Sequence, residues 1–382
     1  MDTGGAPGPT SGQAIIQVRD LVKTYRGGVQ AVKGVSFEVM KGEIFGFLGP
    51  NGAGKTTTIL VLITLLESTA GTATVCGYDL AKAPDEVRIR IGYVSQDIAV
   101  DETLTGRENV ALQGHFYHLD RPTIEERSRE VLEMVDLTDR ADSLVSTYSG
   151  GMRKRLDIAE GLIHRPSILF LDEPTLGLDI QTRTRIWDYV RNLRDREGIT
   201  VFMTTHYMDE ADKLCDRIAI IDHGEIVAIG PPAELKAGIG GDLLLLEVDG
   251  RPAPGQSPTG EPAVASGKAV AARPADASDE AATAAASEEA AKFGDFLRGL
   301  EGVTKVSTAD DGRWMLVVKG GEEIAPKVLA AVSGQGLVVR SLAMKKPTLD
   351  DVFLHYTGRA LREDEGASGF LRQRMSLRRA RM

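Results

Sequence analysis

One nine-residue segment constrains this chain's fold more than any other. Gly49-Pro50-Asn51-Gly52-Ala53-Gly54-Lys55-Thr56-Thr57 lies between a near-continuous apolar run, Glu43 to Leu48, and a helical pattern carrying Ile59, Leu62, Ile63 and Leu66. Such a run reads as a strand buried on both faces of a sheet, which calls for parallel strands flanked by helices. The glycines let the backbone turn so that successive N–H groups converge on phosphate oxygens, and the helix start adds favourable partial charge. Lys55 is expected to reach the β- and γ-phosphates of a nucleotide, and the Thr56 hydroxyl to ligate Mg²⁺.

Downstream runs fit the same α/β domain. Ile168 to Leu171 and Ile199 to Met203 read as two more buried strands, the first ending in Asp172 and Glu173, the second followed shortly by His206. Ligand sites of open α/β sheets lie beyond the carboxyl ends of the strands, so these polar groups could meet the glycine loop there. Asp172 would hold Mg²⁺, and Glu173 would orient or deprotonate an attacking water. His206 could donate to a γ-phosphate. Ile218 to Ile221 and Ile226 to Ile229 flank His223-Gly224 as a hairpin. Between Asp97 and Pro166 the pattern is helical, with two Thr-x-x-Glu capping boxes, Thr105 with Glu108 and Thr123 with Glu126.

Tyr148-Ser149-Gly150-Gly151-Met152 resembles the signature motif of ATP-binding-cassette (ABC) ATPases, which separates them from most other phosphate-loop enzymes. Further matches follow in the family's order: Tyr25 in the place of the adenine-stacking aromatic, Gln96 as the Q-loop glutamine, Gly177-Leu178-Asp179 as the D-loop and His206 as the switch histidine. The resemblance covers roughly Ala14 to Leu235. It implies ATP and Mg²⁺ as cofactors, with Lys55, Gln96, Glu173 and His206 in the chemistry and Thr56, Gln96 and Asp172 around the metal. The nucleotide would contact Tyr25, Gly49 to Thr57 and Asp179. It would also meet Ser149, Gly150 and Gly151 of a second subunit, since head-to-tail sandwiching is implied. The Tyr-Ser-Gly-Gly-Met form and Lys346-Pro347-Thr348-Leu349-Asp350-Asp351-Val352-Phe353-Leu354 resemble the daunorubicin/doxorubicin-resistance ATPases and their lipid-exporting relatives. That implies an exporter of hydrophobic drug or lipid. The alternative is a non-transport cassette ATPase with a regulatory role or acting on ribosomes or DNA, the latter disfavoured by a single copy of each motif and no sizeable basic surface.

The expected organisation is a flexible leader over 1–12, an ATPase domain over 13–236 with its helical part at about 97–166, an accessory domain over 237–360 and a basic tail over 361–382. Strands at Asp242 to Val248, Val303 to Ser307, Trp314 to Val318 and Leu337 to Leu342, with apolar helical faces on Phe293 and Ile324, give the order β-α-β-β-α-β. That is a small α+β domain of ferredoxin-like type. Residues 251–291 are dominated by Ala, Pro, Ser and Gly and are read as a disordered insertion. The formal charge of −10 argues against nucleic acid as a partner. The arginine-rich end, Arg372, Arg374, Arg378, Arg379 and Arg381, allows contact with anionic lipid. No apolar stretch approaches the roughly 20 residues that span a bilayer, so a separate permease is needed and the chain is placed on the cytoplasmic face of the cell membrane. Cys76 and Cys215 have no ligand-like spacing and read as structural.

Overall fold

The computed structural model describes residues 13–248, 290–308 and 313–357. The expected leader (1–12), nearly all of the expected insertion and the basic tail lie outside them. The chain divides at Pro232 and Ala233 into two compact units, the second running to His355.

The first unit is built on a six-stranded sheet in the order Glu225–Gly230, Arg217–Asp222, Ile44–Leu48, Thr200–Thr205, Ile168–Asp172, Ile91–Val94. All neighbours are parallel except the first pair, the expected hairpin. Its two turn residues, His223 (φ 48°) and Gly224 (φ 84°), both adopt positive φ, as a type I′ turn requires. Every residue of Ile44–Leu48, Ile168–Asp172 and Thr200–Thr205 is buried, which explains their lack of alternation. Register then fixes what happens at the strand ends: Leu48 pairs with Thr205 and Asp172 with Thr204, so three loops leave the sheet side by side.

A second, four-stranded antiparallel sheet runs Gln30–Met40, Ala14–Thr24, Ala70–Val75, Tyr78–Asp79. Phe37 on this sheet joins Phe45, Phe47 and Phe202 on the other, with centroids 5.4 to 6.0 Å apart, so aromatic packing cements the two layers.

The helical insertion consists of Gly106–Phe116, Arg121–Met134 and Gly150–Glu160, with two short 3₁₀ turns, Thr138–Arg140 and Val145–Thr147, between the last two. The Thr105–Glu108 capping box is formed in both directions. The Thr123–Glu126 box is not. That helix starts earlier, at Arg121, because Asp120 accepts from the Thr123 N–H at 3.0 Å, and Pro122 needs no partner in the first turn.

The second unit is an antiparallel sheet ordered Val303–Thr308, Trp314–Val318, Asp242–Val248, Val339–Lys345. A helix over 290–298 and another at Gly321–Gly334 follow its first and third strands in sequence. Each strand–helix–strand crossover thus has a foreign strand slipped between its two parallel strands, which is the ferredoxin-like topology expected from sequence. Leu244, Leu246, Phe293, Leu297, Trp314, Leu316 and Val328 form its core. The family-like stretch after Lys345 is a strand end followed by the helix Leu349–Thr357. Thr348 and Asp351 cap one another, and Lys345 donates to Asp351 at 2.8 Å. No described helix is long and apolar enough to cross a membrane.

Candidate nucleotide site

The buried strand Ile44–Leu48 delivers the chain into a loop that its surroundings force to be glycine at two points. A Cβ on Gly49 would lie 2.2 Å from the Ile221 carbonyl oxygen, and one on Gly54, at φ 104°, would lie 2.4 Å from that of Ala31. The helix Lys55–Leu62 starts at Gly54 with no side-chain cap, leaving first-turn N–H groups for an anion. Lys55 turns back over the loop. Its Nζ donates to the carbonyls of Gly49 (2.8 Å) and Pro50 (3.1 Å) and sits 3.1 Å from Glu173 Oε1, with both side chains buried.

Strand register brings the acids to this lysine. Asp172 Oδ1 accepts from the hydroxyls of Thr56 (3.2 Å) and Thr204 (2.5 Å). Burial pushes its carboxyl up, against those hydrogen bonds. The next residue, Glu173, has a left-handed backbone at φ 46°, held by its N–H donating to Thr204 Oγ1 at 3.0 Å. A glutamate in that region costs of order 1 kcal/mol, and such strain clusters at working sites. Glu173 Oε2 lies 3.1 Å from His206 Nδ1. Burial raises the Glu173 carboxyl, but the His206 hydrogen bond and the Lys55 ammonium outweigh it and hold the group below its ordinary value. The outcome is a carboxylate kept ionised, gripped from both sides, beside a phosphate-binding loop.

Gln96 follows the strand Ile91–Val94 and lines a pocket of about 370 Å³ together with Asp97, Lys154, Glu173, Pro174 and Leu178. Thr56, Asp172 and Gln96 offer hard oxygen donors, the set that suits Mg²⁺. Tyr25 is 38% exposed and its hydroxyl is 3.1 Å from Thr57 Oγ1, which puts a partly exposed aromatic ring beside the loop. Asn51 and Gly52 are exposed at the loop's crest, while Ala53 is buried.

Ser149, Gly150, Gly151 and Asp179 have no hydrogen bond to the loop among the described residues. Ser149 caps the helix Gly150–Glu160, its Oγ accepting from the Met152 N–H at 3.3 Å. Asp179 caps Ile180–Glu197, accepting from the Thr182 N–H (3.0 Å) and hydroxyl (2.7 Å). Thr182 is also where a Cβ on Gly151 would collide, at 2.4 Å, so these two motifs are neighbours of each other. Two contributors escaped the sequence reading. Thr204 supports both acids, and its only sequence cue was a place just before His206. Glu210, wholly buried, accepts from Thr175 (2.8 Å) and Trp187 (2.9 Å), fixing the stretch after Glu173; nothing in its sequence context marks it.

Comparison with known proteins adds the decisive observation. Residues 32–176 match the family model described as ABC transporter, and residues 280–357 match that of the ATP-binding protein DrrA1-3-like C-terminal domain. The chain is 41% identical over 342 residues to the daunorubicin resistance ATP-binding protein DrrA3 of Streptomyces coeruleorubidus, covering 89% of this chain and 95% of that one. It belongs to the DrrA family of ABC-transporter ATPases. A second relative, the daunorubicin/doxorubicin resistance protein DrrA of Streptomyces peucetius, is 48% identical over 233 residues, 61% of this chain and 70% of its own. A third, the linearmycin resistance protein LnrL of Bacillus subtilis, is 37% identical over 350 residues, 91% of this chain and all of its own. Among solved structures, the dimeric cassette MJ0796 in a post-hydrolysis state with ADP and Pi is 28% identical with a TM-score of 0.52, covering 56% of this chain and 98% of that one. Clostridium perfringens cbiO1 gives 28% and 0.56, over 59% and 91%.

The DrrA-family chain therefore binds ATP and couples its hydrolysis to transport. ATP-binding proteins of this kind pair with one another and work with transmembrane permeases.

Proposed function

We propose that this DrrA-family ATPase drives export of a hydrophobic drug or lipid by closing two copies over two MgATP molecules and reopening them on hydrolysis. The observation that carries the mechanism is the strained Glu173, ionised between Lys55 and His206 at the mouth of the pocket that Gln96 also lines. Lys55 exchanges part of its hold on Glu173 for the β- and γ-phosphates. Thr56, Asp172 and Gln96 hold Mg²⁺, which neutralises developing phosphate charge when bound. Glu173, released toward the γ-phosphate, orients and deprotonates the attacking water, and His206 keeps that carboxylate aimed. Ser149, Gly150 and Gly151 reach the γ-phosphate on the other subunit, and Tyr25 stacks on the adenine.

Supporting the export reading are the names of the relatives, three of which are drug- or antibiotic-resistance proteins. The chain would then sit at the cytoplasmic face of the membrane, held by its permease. Leu112 and Phe116, 39% and 66% exposed on the helix that follows Gln96, offer the permease an apolar contact. Contact of the arginine-rich tail with anionic lipid is a separate expectation, checked by liposome binding at low salt with and without residues 370–382.

Glu173→Gln tests the core of the proposal. It should keep ATP binding, lower hydrolysis by about 100-fold or more, and accumulate ATP-bound dimer in light scattering. Wild-type turnover in that variant would overturn the assignment.

A further inference from the structure

Two described lysines are buried, Lys55 and Lys154, and only the first belongs to the phosphate loop. Lys154 lies on the helix Gly150–Glu160, five residues past the Ser149 cap, roughly 140° round the helix and about 7.5 Å along it. Its Nζ donates to the main-chain carbonyl of Ser95 at 2.7 Å and pairs with Asp157 at 3.3 Å; the two side chains are 3% and 7% exposed. A buried ammonium is costly unless it is paired and hydrogen-bonded, so losing either contact carries a penalty. Asp157 alone would give an ordinary core ion pair. The bond to Ser95 does something different, because Ser95 immediately precedes Gln96. The Ser95 hydroxyl in turn donates to the Asp97 carbonyl at 2.6 Å, closing a turn across Gln96. Lys154 and Gln96 line the same pocket as Glu173.

We propose that Lys154 is a positioning residue for Gln96, tying the turn that carries Gln96 to the helix whose N-terminus is the signature. Movement of that helix as Ser149 and Gly150 engage a second subunit is thereby passed to Gln96 through one buried bond. The proposal rests on the reading of Gln96 given above. It makes one helix do two things: its exposed end meets the partner's nucleotide, and its buried flank sets a group in its own site.

Lys154→Met alone strands Asp157 in the core and would unfold or weaken the domain, so both partners are changed together. The pair Lys154→Met with Asp157→Leu removes charge and donor. The pair Lys154→Gln with Asp157→Asn removes the charges and keeps a donor for Ser95. Lys154→Leu with Asp157→Asn supplies a second donor-less pair should the first fail to fold. Full-length protein is assayed for steady-state ATPase, thermal midpoint and nucleotide-free amide exchange at residues 95–98. Without the donor, kcat should fall about 10- to 100-fold, as when support for a site group is lost. KM for ATP should stay within about twofold and exchange at 95–98 should quicken. The Gln/Asn pair should restore both. Equal kcat and exchange in all pairs, or equal loss in all, would overturn the tether. Gln96→Ala run in parallel separates the two readings: if it lowers kcat while the donor-less pairs do not, the tether is wrong and the role of Gln96 stands. If Gln96→Ala keeps wild-type kcat, the role of Gln96 fails and the proposal with it.

Discussion

The phosphate loop and the signature are both short glycine motifs at the start of a helix, yet Gly49 and Gly54 of the first and Gly150 of the second have opposite surroundings. At the base of the loop Gly49 abuts the Ile221 carbonyl, Gly54 that of Ala31, and Lys55 is buried against Glu173, while Gly52 at the crest faces open space. At the signature, Ser149 and Gly150 are exposed, and a Cβ on Gly150 would have no atom within 4 Å. A glycine required by its own chain's backbone serves the fold. Gly150, with open space where a side chain would go and no positive φ, is not required by its own chain, and its use lies with something that approaches from outside. The contrast is what a site divided between two subunits should look like in one of them.

Paired substitutions give the sharpest way to break that comparison. Gly49→Ala should cost about 2 kcal/mol or more, since either the loop or the strand ending in Asp222 must move; a denaturant midpoint measures it. Gly150→Ala should leave stability within about 0.5 kcal/mol while ATPase falls, because the added methyl group meets only the partner's nucleotide. If Gly150→Ala destabilises the chain, or leaves turnover untouched, the division between the two motifs is wrong.

The same two regions hold carboxylates in opposite ways. Glu173 is kept low by His206 and Lys55 despite its burial. Glu160, at the far end of the signature helix, is pushed up to about 8, by burial first and then by the nearby Asp157, with Gln113 opposing. A folded value above the unfolded one means the neutral form is favoured in the fold. Glu160's contribution to stability is then full below about 4.5 and lost as pH rises toward 8. Glu160→Gln keeps a partner for Gln113 and should flatten the decline of thermal midpoint between pH 5 and 8; an unchanged slope would show that Glu160 ionises freely. Smaller effects are expected at the caps. Ser149→Ala and Asp179→Ala should each cost about 1 kcal/mol, and both should lose more activity than their stability loss explains, since both residues are placed at the nucleotide.

The motifs were legible because each pairs a residue type with a place in a pattern: the loop between apolar strand and helix, Asp172 and Glu173 after a run with no alternation, the His223-Gly224 turn between two such runs. The ferredoxin-like unit was legible from element order alone, since few topologies accept β-α-β-β-α-β. Capping at Thr123 was misjudged because Asp120, three residues earlier, competes for the same N–H. Lys154 and Glu210 carried no cue to their roles, and Thr204 only its place before His206, because the contacts that matter, to Ser95, Thr175 and Asp172, span 59, 35 and 32 residues of sequence.

Sequence by itself determined the chemistry on offer: which backbone can wrap a phosphate, which side chains can carry charge at strand ends, and which segments are buried on both faces. Only tertiary structure decided how those groups are held. The parallel register sets Thr204 under both acids, the left-handed turn at Glu173 aims its carboxylate between a lysine and a histidine, and burial set against such partners decides which carboxylates stay charged. These are long-range facts because hydrogen-bond distance and desolvation depend on what lies across the sheet, which no window of sequence contains.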